Sequence, residues 1–114
     1  THIYVAPGAW INGGFVTLGG SLHLTGRGII SGGAFAFLQD PAGMHCQYDG
    51  SFCWSLINLD RGTKHVVDGP VLHDPPKYYF RSYASGITVR NVKMIGAWRW
   101  NTDGIAVGER GLVE

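Results

Sequence analysis

Asp103 is a carboxylate surrounded along the chain by aromatic, amide and hydroxyl groups. Its neighbours are Trp98, Arg99, Trp100, Asn101, Thr102 and Gly104. A carboxylate can donate or accept a proton, or orient a water, while a glycosidic bond is cleaved. An indole ring offers a flat apolar face to sugar C–H groups, and its N–H can bond a sugar hydroxyl. These residue types favour a sugar-cleaving site with Asp103 as its catalytic carboxylate. The substrate contacts would be Trp98, Arg99, Trp100 and Asn101.

A structural role explains the same segment without catalysis. Asn-Thr-Asp-Gly is a typical turn composition, and the two tryptophans would then lie in the core. The segment alone does not choose between these interpretations. The elements that must position it begin with residues 87–96, a strand-like run directly before it.

The composition is typical of a small all-β protein with many turns. The chain has 114 residues, of which 18 are glycine, with 15% charged and 12% aromatic residues. Average domains contain about a quarter charged residues and about 7% glycine. The net charge of +1 gives no support for binding to nucleic acid or to an acidic membrane surface. No apolar run approaches the roughly 20 residues of a membrane span.

Both ends of the chain look cut through structure. The chain opens at Thr1, directly before the strand-like residues 2–5, and closes at Glu114 directly after Leu112-Val113. No signal peptide is present in it. We therefore expect residues 1–114 to be one partial domain of a longer protein.

The cysteines and histidines give no strong metal signal. Cys46 and Cys53 are the two cysteines, and in an exported protein they could pair or remain free thiols. His45 lies beside Cys46, but no second Cys-x-x-Cys or His-x-x-His pair completes four ligands. We expect neither a metal ion nor a cofactor.

Three segments share one pattern, which indicates a repeat. Each has a short alternating strand, a turn-forming residue, a second short apolar strand and another turn residue. The first turn residues are Gly26, Gly69 and Asn91, and the second are Gly32, Asp74 and Gly96. Asp74 and Gly96 are 22 residues apart, and Gly32 and Asp74 are 42 apart, close to twice that spacing. A period of about 20 or more residues made of short strands favours a β-solenoid with a continuous core of inward Ile, Val and Leu.

Residues 33–58 interrupt the repeat, and a strand resumes at Ser55-Leu56-Ile57-Asn58-Leu59. We expect them to leave the solenoid as a loop excursion that walls one side of a cleft, because insertions in repeat proteins often lie on the binding face. An irregular coil is the simpler interpretation of the same residues.

An aromatic run over residues 77–81 is either core or a second sugar platform, with Tyr79 as the candidate substrate contact. Strand alternation places Tyr79 and Arg81 on one face, opposite Tyr78 and Phe80. The pattern does not show which face points outward.

Several segments resemble two families of glycoside hydrolases. Asn101-Thr102-Asp103-Gly104 resembles the Asn-Thr-Asp-Gly signature of family 28, the polygalacturonases. The wider layout resembles family 49, the dextranases and isopullulanases. The segments that carry this second resemblance, in matching order, are Tyr4-Val5-Ala6-Pro7-Gly8-Ala9, Gly26-Arg27-Gly28-Ile29-Ile30-Ser31-Gly32, Asp74-Pro75-Pro76 and residues 95–104.

The resemblance implies a right-handed parallel β-helix of the pectin-lyase-like kind and an inverting polysaccharide hydrolase. It places Asp103 in the group that activates water, and it places a further aspartate pair about one coil later, beyond Glu114. Inverting hydrolysis needs an acid and a base about 6.5–9.5 Å apart. The chain by itself would therefore be catalytically incomplete. A polymeric substrate implies a secreted protein.

The substrate stays open between a neutral glucan, such as dextran or pullulan, and polygalacturonan. Asn101 stands where the family 49 pattern has glutamine and the family 28 pattern has asparagine. A galacturonan site would need cations near the carboxylates. The arginines available for that role are Arg81, Arg99 and Arg110.

Two other functions fit the same fold, since a fold does not determine chemistry. A non-catalytic carbohydrate-binding or structural β-helix, as in adhesins and tail spikes, would continue the repeat without further acids. A polysaccharide lyase would use a Lys or Arg base and often calcium, for which the chain offers few carboxylates.

The backbone near the carboxylate is expected to depart from a regular strand. Alternation places Asn101 and Asp103 on one face and Thr102 on the other. Strict alternation would also turn the apolar residues that follow outward. We therefore expect a bend or bulge at Gly104.

Overall fold

The computed structural model describes residues 1–34, 55–96 and 102–108. In these residues the chain forms short strands and no helix. The strands in chain order are β1 (His2–Val5), β2 (Trp10–Asn12), β3 (Phe15–Thr17), β4 (His23–Gly26), β5 (Ile29–Ser31), β6 (Ser55–Leu59), β7 (Thr63–Asp68), β8 (Val71–His73), β9 (Tyr78–Ser82), β10 (Ser85–Arg90), β11 (Lys93–Ile95) and β12 (Ile105–Val107). Over the same ranges, no helix long and apolar enough to cross a membrane is found.

The strands form three parallel sheets of four strands each. The first sheet has the order β1-β4-β7-β10, the second β2-β5-β8-β11 and the third β3-β6-β9-β12. Each coil of the chain contributes one strand to every sheet, so the described residues build four stacked coils. The prediction of an all-β chain folded as a parallel β-helix is confirmed.

The sequence repeat corresponds to the coil of the helix. Gly26, Gly69 and Asn91 each follow or end a strand of the first sheet, and each has a positive φ, of 114°, 102° and 55°. Glycine and asparagine adopt this conformation with the least strain, so they recur where the chain turns from the first sheet to the second. The Asn91 carboxamide also donates to the Asp68 carboxylate at 2.9 Å, which joins the third coil to the fourth.

Apolar ladders run through the interior at right angles to the strands. In the second sheet the register stacks Ile11, Ile30, Leu72 and Met94. In the third sheet it stacks Phe15, Ile57, Phe80 and Ile105. The middle two residues of each ladder are 0% exposed. Burial of such a side chain contributes about 1.5–3 kcal/mol, so stacking of coil on coil stabilises the fold.

Within the segment that interrupts the repeat, the strand expected at residues 55–59 is confirmed as β6. Residues 55–58 belong to β6, which pairs with β3 and β9 inside the third sheet. Ile57 of this strand continues the core ladder between Phe15 and Phe80, and that explains its place in the sheet. Residues 35–54, which include Cys46 and Cys53, lie outside the described residues.

Candidate functional site

Asp103 lies at the corner where the chain passes from the second sheet to the third. On the fourth coil this corner joins β11 to β12, and on the third coil residues 74–77 join β8 to β9. Asp103 is exposed. Its backbone carbonyl accepts a hydrogen bond of 3.1 Å from the Tyr79 N–H on the third coil. The neighbouring coil thus holds the backbone of Asp103 while the residue stays open to water and ligands.

The expected bend at Gly104 is confirmed. The N–H groups of Tyr79 and Phe80 donate to the carbonyls of Asp103 and Gly104, at 3.1 and 3.0 Å. Two successive donors on one strand depart from a regular parallel ladder, in which alternate residues bond to the same neighbour. After the bend, Ile105 pairs with the fully buried Phe80. Ile105 is nevertheless 38% exposed and Val107 is 44% exposed on this last described coil.

Of the other residues in the segment around Asp103, the structure describes Thr102 and Gly104. Thr102 is half-buried. Four predicted substrate contacts lie outside the described residues, namely Trp98, Arg99, Trp100 and Asn101. Their roles stay predictions.

Tyr79 is placed differently from the sequence prediction. Its exposure is 1%, and its hydroxyl is buried without a hydrogen-bond partner. Burial, with the nearby Asp74 charge as the smaller cause, raises the pKa of the Tyr79 phenol. Tyr79 and Phe80 are both buried, so the strand departs from the strict alternation that grouped Tyr79 with Arg81. A ring with no solvent-facing surface is part of the core and offers no platform for a sugar.

An open cleft of about 270 Å³ is lined by residues of β9 and β12 and by residues that directly follow these strands. Asp103 lies two residues before the start of β12. Its lining residues are Tyr78, Arg81, Tyr83, Ala106, Val107 and Gly108. The Arg81 guanidinium carbon is 4.4 Å from the centre of the Tyr83 ring, and Arg81 Nη2 donates to the Tyr83 hydroxyl at 2.6 Å. The cleft combines flat aromatic surface with hydrogen-bonding groups, which is what a sugar requires.

Sequence reasoning missed Tyr78 and Tyr83 as cleft residues. The signal for Tyr78 was the aromatic run over residues 77–81, and Tyr83 lies two residues beyond that run. Which of these residues face outward is shown by the structure. Ala106 pairs with Arg81, which lies between the buried Phe80 and Ser82. The small Ala106 side chain leaves the space that the cleft occupies.

Asp74 is a second carboxylate at the same corner, one coil below. Its φ is 43°, a left-handed conformation in which aspartate, like glycine and asparagine, is enriched. Asp74 Oδ2 lies 3.5 Å from Nε2 of His73, and Nδ1 of His73 lies 3.0 Å from the Ser31 hydroxyl. The sequence indicated Asp74 only as a turn residue. Its contacts fix the imidazole of His73 from one side.

The described residues do not form a metal-binding site. Across residues 1–34, 55–96 and 102–108, no group of three or more His, Cys, Asp or Glu side chains could hold a metal ion. His45 and Cys46 lie outside these ranges.

Two curated proteins are similar to this chain. Dextranases of Arthrobacter sp. (strain CB-8) and of Arthrobacter globiformis are each 30% identical to it over 118 residues, covering 90% of this chain and 18% of the relative. The chain thus spans less than a fifth of the length of these relatives. No protein-family model matches the chain, and no solved structure matches it.

Proposed function

We propose that the full-length protein is a polysaccharide hydrolase and that Asp103 is one of its catalytic carboxylates. The observation that carries the proposal is the position of Asp103, exposed at a coil corner and next to an aromatic cleft on the same sheet. The similarity to two proteins named dextranases supports it. The identity is modest, so the chemistry rests on the site.

The chemistry assigned to Asp103 is activation of water. A carboxylate can accept a proton from the attacking water as the glycosidic bond breaks. An inverting hydrolase also needs a general acid about 6.5–9.5 Å away, which protonates the leaving oxygen. The proposal places that acid on a further coil of the full-length protein, so residues 1–114 carry only part of the machinery.

The substrate we propose is a neutral α-glucan of the dextran kind, since both relatives carry that substrate class in their names. Polygalacturonan is the second candidate because Arg81 lines the cleft. Arg81 is already bonded to Tyr83, however, and stacks against its ring. Such a polymer lies outside cells, and a secreted enzyme follows from that.

The test uses the full-length protein with dextran, pullulan and polygalacturonate, counting reducing ends released from each. Asp103→Asn should lower turnover by several orders of magnitude while the melting temperature stays unchanged. Asp68→Asn makes the same chemical change at the end of β7 in the first sheet and should leave turnover intact. Near-normal turnover of Asp103→Asn would remove Asp103 from catalysis.

The alternative is a carbohydrate-binding β-helix without catalysis. It predicts that the folded wild-type protein releases reducing ends from none of the three polymers but still binds one of them. In that case Asp103→Asn would change affinity and nothing else.

A further inference from the structure

A tryptophan on the second sheet is held on the outer surface of the helix by two contacts. Trp10 is 54% exposed. Its indole N–H donates to the Asn12 side-chain oxygen at 2.9 Å, and its ring centre is 5.4 Å from that of His73, with an interplanar angle of 60°. An exposed aromatic ring held from two directions has a fixed orientation.

The register shows that this ring reaches along the helix axis. Asn12, Ser31 and His73 occupy the same outward position on β2, β5 and β8. Neighbouring strands lie about 4.8 Å apart, so Trp10 on the first coil meets His73 by extending over the second coil. Ser31, on the strand between them, is only 1% exposed. The indole therefore lies over the sheet instead of standing away from it.

The imidazole of His73 is itself fixed. Ser31 Oγ lies 3.0 Å from Nδ1 and also accepts the Gly33 N–H at 3.2 Å. Asp74 Oδ2 lies 3.5 Å from Nε2. A surface whose side chains are ordered before binding loses less conformational entropy when a ligand arrives.

The chemistry of this surface matches an uncharged sugar. An indole face packs against the C–H groups of a pyranose, while the Asn12 amide N–H₂ can donate hydrogen bonds and the His73 ring supports the indole. Among the described outward positions of the second sheet, Lys93 is the one basic side chain whose charge is fixed, and it lies on the strand farthest from Trp10. At the described outward positions of this sheet, an anionic polymer such as polygalacturonate would meet one side chain of fixed positive charge, at the far edge.

The surface also leads to the catalytic corner. His73 is followed directly by Asp74, whose side chain contacts Gly96 on the fourth coil, at the start of the corner that ends at Asp103. A polymer, unlike a single sugar, is long enough to contact both regions. We propose that Trp10, Asn12 and His73 form a binding platform for a neutral glucan chain, apart from the cleft beside Asp103. The proposal rests on the function proposed above.

The test measures binding of dextran to the full-length protein in an Asp103→Asn background, where the polymer is not consumed. Trp10→Ala should weaken binding of dextran on the order of tenfold, and Trp10→Phe should weaken it less because a smaller flat ring remains. Binding of polygalacturonate should not respond to either change. In the catalytically intact protein, Trp10→Ala should slow hydrolysis of long dextran and leave that of short oligosaccharides unchanged.

The matched control is Tyr4→Ala, which removes an aromatic side chain that is 65% exposed on the first sheet. It should leave dextran binding unchanged. Equal affinity of Trp10→Ala and its parent for dextran would overturn the platform, whether or not the melting temperature falls. If the wild-type protein cleaves no polymer but Trp10→Ala still weakens dextran binding, the platform stands and the proposed hydrolase activity fails.

Discussion

The carboxylate of Asp74 lies against Gly96, in the space that a side chain at Gly96 would need. Gly96 has a φ of 100° and ends β11, at the start of the segment that leads to Asp103. The Asp74 N–H also donates to the carbonyl of Ile95 at 3.0 Å. Two neighbouring coils are thus closely packed at the residue that begins the connection from β11 to β12.

Gly96→Ala should destabilise the protein and lower its activity. A residue other than glycine at this φ costs about 1–3 kcal/mol. The added methyl would also displace the Asp74 carboxylate and shift the segment that leads to Asp103. Chemical denaturation of the full-length protein measures the free energy of unfolding, and reducing-end release measures the activity.

The control for this change is Gly86→Ala. Gly86 has a φ of 76°, but a Cβ there would meet its nearest atom at 3.5 Å, an ordinary contact. Its cost should therefore reflect backbone strain alone, and its activity should remain near normal. If both variants lose stability and activity equally, the contact between Asp74 and Gly96 has no separate role.

Tyr79→Phe should leave the protein as stable as before, or more stable by about 1 kcal/mol. The Tyr79 hydroxyl is buried without a partner, and an unsatisfied buried polar group typically costs about 1–3 kcal/mol. Activity should not change, because the ring has no exposed face. The denaturation midpoint and KM for dextran test both statements. A raised KM in a variant of unchanged stability would restore Tyr79 as a substrate contact.

The fold was predictable because it repeats. Gly26, Gly69 and Asn91 occupy the same corner on successive coils, and each has a positive φ. Because few residue types adopt a positive φ, glycine and asparagine recur in the sequence at this corner. Each repeat alternates as an inward-facing strand must, so the ladders of the core follow from the pattern. The exposed Asp103 and the bend at Gly104 followed from the same reasoning.

Residues that depend on local irregularity or on contacts between coils were not predictable. Strand alternation grouped Tyr79 with Arg81, but Tyr79 and Phe80 are successive buried residues in β9. A regular strand would bury only every second residue. The sequence did not predict Trp10 as a binding residue, because its ring is positioned by His73. His73 lies two coils away in the fold and 63 positions away in the sequence. A pattern within one strand carries no information about such a contact.

Stability should fall as the pH decreases below about 6.5, in part because of His65. His65 is 0% exposed. Its Nδ1 accepts the Leu22 N–H at 3.1 Å, so Nε2 carries the proton and donates to the Arg61 carbonyl at 3.0 Å. Burial, with a smaller contribution from His23, lowers the pKa of His65. The unfolded chain takes up a proton first as the pH falls, and stability is lost from the unfolded pKa down to the folded one.

Denaturation midpoints at about pH 8 and about pH 5.5 measure this dependence. His65→Asn keeps an oxygen that can accept the Leu22 N–H but does not titrate, so its midpoint should depend less on pH. It should also lose about 1 kcal/mol at both values, because the bond to Arg61 is removed. His2→Asn, at an exposed site, should retain the wild-type dependence. Identical pH dependence in His65→Asn and the wild type would rule out this contribution.

Arg81→Gln should separate the two candidate substrates. If the substrate is dextran, KM should rise only a few-fold, because the glutamine keeps hydrogen-bonding capacity in a cleft for neutral sugars. If it is polygalacturonate, removal of a charge-assisted contact of about 1.5–3 kcal/mol should raise KM by more than tenfold. Tyr83→Ala should raise KM with either polymer, since it removes the ring on which Arg81 stacks. Unchanged KM in both variants would exclude the cleft from substrate binding.

Trp98→Ala and Trp100→Ala distinguish a sugar platform from a core position for each indole beside Asp103. An indole that stacks on sugar should, when removed, weaken dextran binding by roughly fivefold to tenfold, with the melting temperature unchanged. An indole in the core should instead lower the melting temperature by several degrees, because its removal costs about 3–5 kcal/mol, and leave the affinity of the folded fraction unchanged. Titrating dextran into each variant, in the Asp103→Asn background, separates the two roles. If neither affinity nor melting temperature changes, the two tryptophans have no part in the site and its sugar contacts lie in the cleft of Tyr78 and Tyr83.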